Sequence, residues 1–146
     1  MSAKRVRKVS LPRLKRDCDE LWSAAVLSHG SSVIPYSPDP RYSLCAVCGE
    51  SKAQASHHVF PKGANGHFRY DLRNGIPICH PCHLRDRANP ALVVYRAMSY
   101  MGVNVFLTLA SEVSMTRGRK VWSRKDLENI KVGLEIHLSV YVGVPA

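Results

Sequence analysis

Two Cys-x-x-Cys pairs, Cys45-Ala-Val-Cys48 and Cys79-His-Pro-Cys82, constrain this chain more than any other feature. Thirty residues separate Cys48 from Cys79, so joining the pairs closes a sizeable loop. Thiolates are soft anionic ligands, and a Cys-x-x-Cys turn lets two sulfurs converge on one ion. Two such turns supply the tetrahedral set of a structural zinc. Gly49 follows the first pair, where the crowded turn needs the room. Two redox pairs or free thiols are the alternative, and two pairs at this spacing in one small chain favour zinc. The fifth cysteine, Cys18, reads as a small buried apolar residue.

In a reducing compartment five cysteines favour metal binding over disulfides. The basic stretch Met1 to Lys8 runs into Ser10-Leu11-Pro12 and not into an apolar segment, so no signal peptide is expected and the protein is placed in the cytoplasm. No apolar run approaches the roughly 20 residues of a membrane span. At 146 residues the chain is read as a single domain, 1–146. A net charge of +10 on so small a chain attracts polyanions, of which nucleic acids are the obvious soluble kind.

The chain divides into a basic arm (1–10), an N-terminal helix (11–30), a central core (43–89) and a C-terminal helical extension (90–142). Leu14, Cys18, Leu21, Trp22 and Ala25 form one helical stripe, with Ser10 as cap and Gly30 as stop. Pro35, Pro38 and Pro40 make 31–42 a loop. Asn89-Pro90 opens a second helix that Gly102 ends, and Val103 to Val113 leans to a third. After the basic turn 116–120, Ser123 caps a last helix whose stripe runs through Leu127, Ile130, Leu134, His137 or Leu138, and Tyr141 to about Val142. Phe68, Arg69 and Tyr70 alternate as on a strand, with the rings packing inward.

Between the cysteine pairs stand His57-His58 and Asn74, and His83 follows the second pair directly. Phosphodiester hydrolysis needs an activated water, a cation to stabilise developing charge, and placement of both. A neutral histidine is a fitting base, and two further histidines are fitting cation ligands. Neighbours on a regular strand point to opposite sides, so both rings can serve one site only from a strand end or a loop. Asn74 both donates and accepts, and can fix the backbone of the histidine loop. Lys62, Arg69, Arg73, Arg85 and Arg87 flank this set as candidate contacts to DNA phosphates.

Cys45-x2-Cys48, Ser56-His57-His58-Val59, Asp71-Leu-Arg-Asn74 and Ile78-Cys79-x2-Cys82-His83 together resemble an HNH endonuclease of the zinc-stapled ββα-metal type. The resemblance spans about 40 residues and is specific as a combination. It implies an α+β fold: a two-stranded hairpin plus helix, flanked here by an N-terminal helix and C-terminal helices. It puts His58 in the general-base position and His57 in the preceding ligand position. Asn74 takes the place of the asparagine that orients the base loop, and His83 that of the last ligand. It further implies one catalytic Mg2+ or Mn2+, DNA as partner, and no small-molecule cofactor.

A narrower resemblance uses the flanks as well. Leu14-Lys-Arg-x-Cys-Asp-x-Leu-Trp22, Asn89-Pro90, Gly102 and Val121-Trp122-Ser123-x-x-Asp126-Leu127-Glu128 make the chain similar to the NinG/Rap recombination proteins of lambdoid phages. That family implies structure-selective cleavage of branched DNA in a host bacterial cytoplasm, and a homodimer would suit paired cuts. The family often has Cys-Asn where this chain has Cys82-His83. Two other readings stay open: a zinc-bearing nucleic-acid-binding module that does not cleave, and an HNH nuclease of restriction or packaging type acting on duplex DNA.

Overall fold

The computed structural model describes residues 8–29 and 43–142. Most of the expected basic arm, the proline-rich loop 31–42 and the side chain of Tyr141 lie outside the described residues. Among the described residues, five α-helices and one β-hairpin make an α+β architecture.

Helix α1 (Leu11–His29) opens with Leu14 N–H donating to Ser10 O. Its stripe Leu14, Cys18, Trp22, Ala25 and Val26 is buried, as a 3.6-residue period requires of one face. That face meets Leu127, Leu134 and Leu138 of α5 (Arg124–Val142) in one apolar cluster, and Lys131 reaches Asp17 at 3.3 Å. Helix α5 begins in a reciprocal cap: Asp126 N–H donates to Ser123 Oγ (3.1 Å) and Ser123 N–H to Asp126 Oδ2 (2.9 Å).

Strand β1 (Ala55–His58) pairs antiparallel with β2 (Gly75–Ile78), in register from Ala55↔Ile78 to His58↔Gly75. Alternation sends Ser56, His58 and Gly75 toward α1, while His57, Ile76 and Ile78 face the other way. Ser56 Oγ meets Ser23 Oγ of α1 at 2.7 Å. Gly75 is a glycine because α1 runs so close: a Cβ there would lie 2.8 Å from Trp22 Cζ2 and nearer still to Val26. Any larger residue would push α1 off the hairpin.

The opposite face is covered by α2 (His80–Arg85), α3 (Pro90–Met101) and α4 (Val103–Met115). Ile76 and Ile78 pack there with the cysteines, Val93, Ala97 and Phe106. Asn89 Oδ1 accepts from Leu92 N–H to cap α3, and Gly102 separates α3 from α4. Phe68, Leu109 and Val113 form a smaller cluster beside it.

One expected element is corrected. Residues 68–70 are not a strand: Phe68 closes a 3₁₀ turn, Gly66–Phe68. Local carbonyls take the amides that a ladder would need, with Phe68 N–H on Asn65 O, Arg69 N–H on Gly66 O and Asp71 N–H on Phe68 O. Phe68 and Tyr70 are buried nonetheless.

Candidate functional site

The four cysteines converge. Cys45 and Cys48 come from a tight turn bridged by Leu44↔Lys52, in which Gly49 takes φ +71°, a conformation that favours glycine. Gly49 N–H donates to Cys45 O there at 2.8 Å. Cys79 and Cys82 come from the end of β2 and the first turn of α2. Their four sulfurs lie within 4.8 Å of one another, the one set of three or more candidate ligands among the described residues that closes this tightly. Cys48 Sγ and Cys79 Sγ are 3.9 Å apart. Ligands about 2.3 Å from a tetrahedral zinc stand about 3.8 Å apart, so the donor set and its spacing fit that ion. Backbone N–H groups of Ser51 and Glu50 pull the Cys48 thiol down to about 6, toward the thiolate a metal requires.

The staple holds β2 and α2 together and thereby aims the histidines. His57 points toward α2, its ring edge-on to His83 with centroids 5.2 Å apart. Its Nε2 stands 3.8 Å from Asp86 Oδ2. Burial holds the His57 ring below its ordinary pKa against the pull of Asp86, so it is neutral and offers a lone pair. Two ligands of one small cation at about 2.1 Å lie at most about 4.2 Å apart, so the His57–Asp86 separation suits a shared ion. His83 is exposed and does not close a three-ligand cage with them.

Asp86 was not expected from the sequence. The signal was there, since a residue three positions after His83 on a helix shares its face.

His58 points the other way, onto α1. It lies flat on Trp22, with centroids 3.9 Å apart and planes 8° from parallel. Its Nε2 is 2.8 Å from Arg69 O, and a carbonyl only accepts. The proton is therefore on Nε2 and the lone pair on Nδ1. Burial, reinforced by the positive charge of Lys62 and Arg69, brings the ring down to about 4 despite that carbonyl. The two adjacent histidines thus occupy the end of β1 with their rings on opposite sides of it.

Asn74 is fully buried just before β2. Its Oδ1 accepts from Phe60 N–H (2.7 Å), and its Nδ2 donates to Phe60 O (3.0 Å) and Phe68 O (3.1 Å). Its own carbonyl accepts from Val59 N–H at 3.0 Å. One side chain therefore pins the segment after His58 to the turn before Arg69.

The basic residues divide. Arg69 donates twice to Asp19 (2.9 and 2.7 Å), and Arg73 pairs with both Asp71 and Glu112 (2.7 and 2.6 Å). These two guanidinium groups hold the fold together. Lys62, Arg85 and Arg87 are exposed. No helix among the described residues is long and apolar enough to cross a membrane.

No family model matches the chain, and no curated protein or solved structure is significantly similar to it.

Proposed function

We propose that this protein is a metal-dependent endonuclease of the HNH type that hydrolyses DNA phosphodiester bonds, with Cys45, Cys48, Cys79 and Cys82 holding a structural zinc in a reducing cytoplasm. The observation that carries the reading is the Asn74 clamp. A buried asparagine satisfied three ways, fixing the segment after His58 to the turn that takes the His58 ring proton, is hard to explain by packing alone. It gives a preorganised base.

In this reading His57 and Asp86 would hold Mg2+ or Mn2+, with the exposed His83 turning in to complete the set, and the ion would stabilise charge on the phosphate and on the leaving oxygen. Nδ1 of His58 accepts a proton as water attacks phosphorus and the bond to the leaving oxygen breaks. An anionic phosphate beside the ring raises its basicity from the low value of the free protein. In-line displacement sets attacking and leaving oxygens on opposite sides of the phosphorus, and with the two rings on opposite sides of β1 this reading requires the phosphate to sit beyond the strand end at His58. Lys62, Arg85 and Arg87 are left to contact backbone phosphates, and branched DNA is the proposed substrate.

Incubating the protein with plasmid, branched and single-stranded DNA in magnesium or manganese tests this. Wild type should cleave and His58→Ala should not. A second reading rests on one observation: the ring of His58 is stacked and hydrogen-bonded as a structural histidine would be. It makes the protein a non-cleaving DNA-binding module, and DNA bound but left intact under every metal would establish it.

A further inference from the structure

Four cations surround a cleft on the His58 side of the hairpin: Lys15 of α1, Lys62, and Arg119 and Lys120 of the segment before α5. Arg69 and Trp122 complete its walls, and its volume is about 220 Å³. Among the described residues none of the four has an acidic partner within ion-pair distance, whereas Arg69 in the same wall is neutralised by Asp19. Only Asp126 among the described acids acts on this group, through Lys120 and from beyond ion-pair distance, and so much positive charge in one concavity asks for an anion. The cleft is built and not incidental, because Gly66 N–H donates to Gly118 O and Gly118 N–H to Ala64 O, both at 3.2 Å. These bonds strap the 118–120 segment to the loop that carries Lys62.

A second concavity of about 410 Å³ shares Lys15, Lys120 and Trp122 with the first. Its other walls are apolar: Leu11, Pro12, Val121 and Leu127. Trp122 is anchored edge-on against Tyr70, 5.4 Å between centroids. The indole packs partly against the α1–α5 core, and the Lys120 ammonium lies 5.4 Å from its centroid on the cleft side. A basic cleft opening into an apolar slot with an aromatic at the junction matches the two halves of a nucleotide. Duplex DNA presents phosphates alone to such a pair, since its bases are stacked away inside.

We propose that these joined concavities bind one unpaired nucleotide of a nucleic-acid strand, its phosphate among Lys15, Lys62, Arg119 and Lys120 and its base against Trp122. The proposal takes its partner class from the proposed function and does not depend on cleavage. It gives the protein a preference for DNA with a single-stranded segment.

The chain has two tryptophans and both emit, but Trp22 is buried out of reach of a bound base, so a quench that Trp122→Leu removes is assigned to Trp122. Zinc-loaded protein without added magnesium or manganese is titrated with oligothymidylate, oligouridylate and a blunt duplex of equal length. Oligothymidylate should quench the emission and the duplex should not; quenching by oligouridylate alone would assign the slot to RNA and overturn the DNA preference. Trp122→Leu should weaken single-strand binding about tenfold, leave duplex binding within about twofold, and abolish the quench, while Trp122→Phe restores binding. Lys62→Ala with Lys120→Ala should lower the salt slope for the single strand by about 1.4.

Should Trp122→Leu fail to fold, Val121→Glu places a like charge at the slot mouth, on a side chain 90% exposed, and should weaken single-strand binding alone. Equal loss on single strand and duplex, or no loss in either variant, overturns the proposal. Single-strand binding through Trp122 with no cleavage under any metal would instead defeat the nuclease reading and leave this one standing.

Discussion

Trp22 and His58 lie face to face, 3.9 Å between ring centroids and 8° from parallel. The indole is itself held, with Nε1–H donating to Asp71 O at 3.2 Å. The proposed base is thus held on one face by α1 and at its edge by Arg69 O, whose own side chain Asp19 of α1 binds. Trp22→Leu should cost about 3 kcal/mol by opening a cavity in the α1–α5 core. It should also lower kcat more than KM, because the base loses its bearing while substrate contacts stay. Chemical denaturation and steady-state kinetics check both, and unchanged kcat would remove Trp22 from the site.

The staple and the histidine site should separate in stability. Cys79→Ser removes one of four ligands of a closed metal set and should lower Tm by 10 °C or more, on the order of 2–3 kcal/mol for a chain of this size. A strong chelator should do the same to wild type. His58→Ala, a half-buried ring, should lower Tm far less. Equal losses in the two variants would contradict the division of labour.

Asn74→Asp keeps the acceptor for Phe60 N–H but loses the donors to Phe60 O and Phe68 O and buries a carboxyl. A destabilisation of about 3 kcal/mol is expected, with cleavage lost even where the variant remains folded. Urea unfolding beside a cleavage assay reads both. Full activity at native stability would mean that the clamp is dispensable.

Asp86→Asn should weaken Mn2+ binding at least about tenfold, since losing even an outer-shell partner of a metal site costs that much, with zinc content unchanged. Isothermal titration with Mn2+ and zinc analysis measure this. Unchanged Mn2+ affinity would leave Asp86 as a pH-dependent partner of His57 and no more.

Tyr100 gives a prediction in the alkaline range. Burial pushes its phenol up to about 12, and among the described residues none hydrogen-bonds its hydroxyl. Between pH 10 and 12 the unfolded chain has released this proton while the folded chain retains it, so stability falls as pH rises through that window. The loss attributable to Tyr100 is on the order of 2 kcal/mol. Tyr100→Phe should abolish that part of the loss and be at least as stable as wild type at pH 7, since an orphaned hydroxyl is removed. Parallel denaturation curves at pH 7 and 11 test it.

Local chemistry was the part readable from the sequence. The stripe of α1, the Asn89 and Ser123 caps and the break at Gly102 all act within a few residues, and the structure has each where the pattern puts it. The convergence of the cysteines was readable because ligand spacing is itself a geometric statement. What escaped depends on partners far along the chain. Nothing near Arg69 announces that Asp19, 50 positions away, will neutralise it, or that Glu112 will claim Arg73. The strand expected at 68–70 failed for a related reason. Two inward aromatics flanking an arginine fit a tight turn as well as a strand, and only the neighbouring carbonyls decide between them.

The α1–α5 contact carries a consequence for synthesis. Cys18 Sγ reaches Leu127 O across 109 positions, and Leu127, Leu134 and Leu138 complete the cluster in which Trp22 is buried. A ribosome that has finished the cysteines, both histidines of β1 and Asn74 has still to make α5. Until then α1 can meet the hairpin through Trp22, Ser23 and Val26 but has part of its apolar stripe unmatched. The four cysteines are therefore complete before the helix that closes the far side of the Trp22 cluster exists, and the last step of folding is the docking of α5 on a unit already built around them.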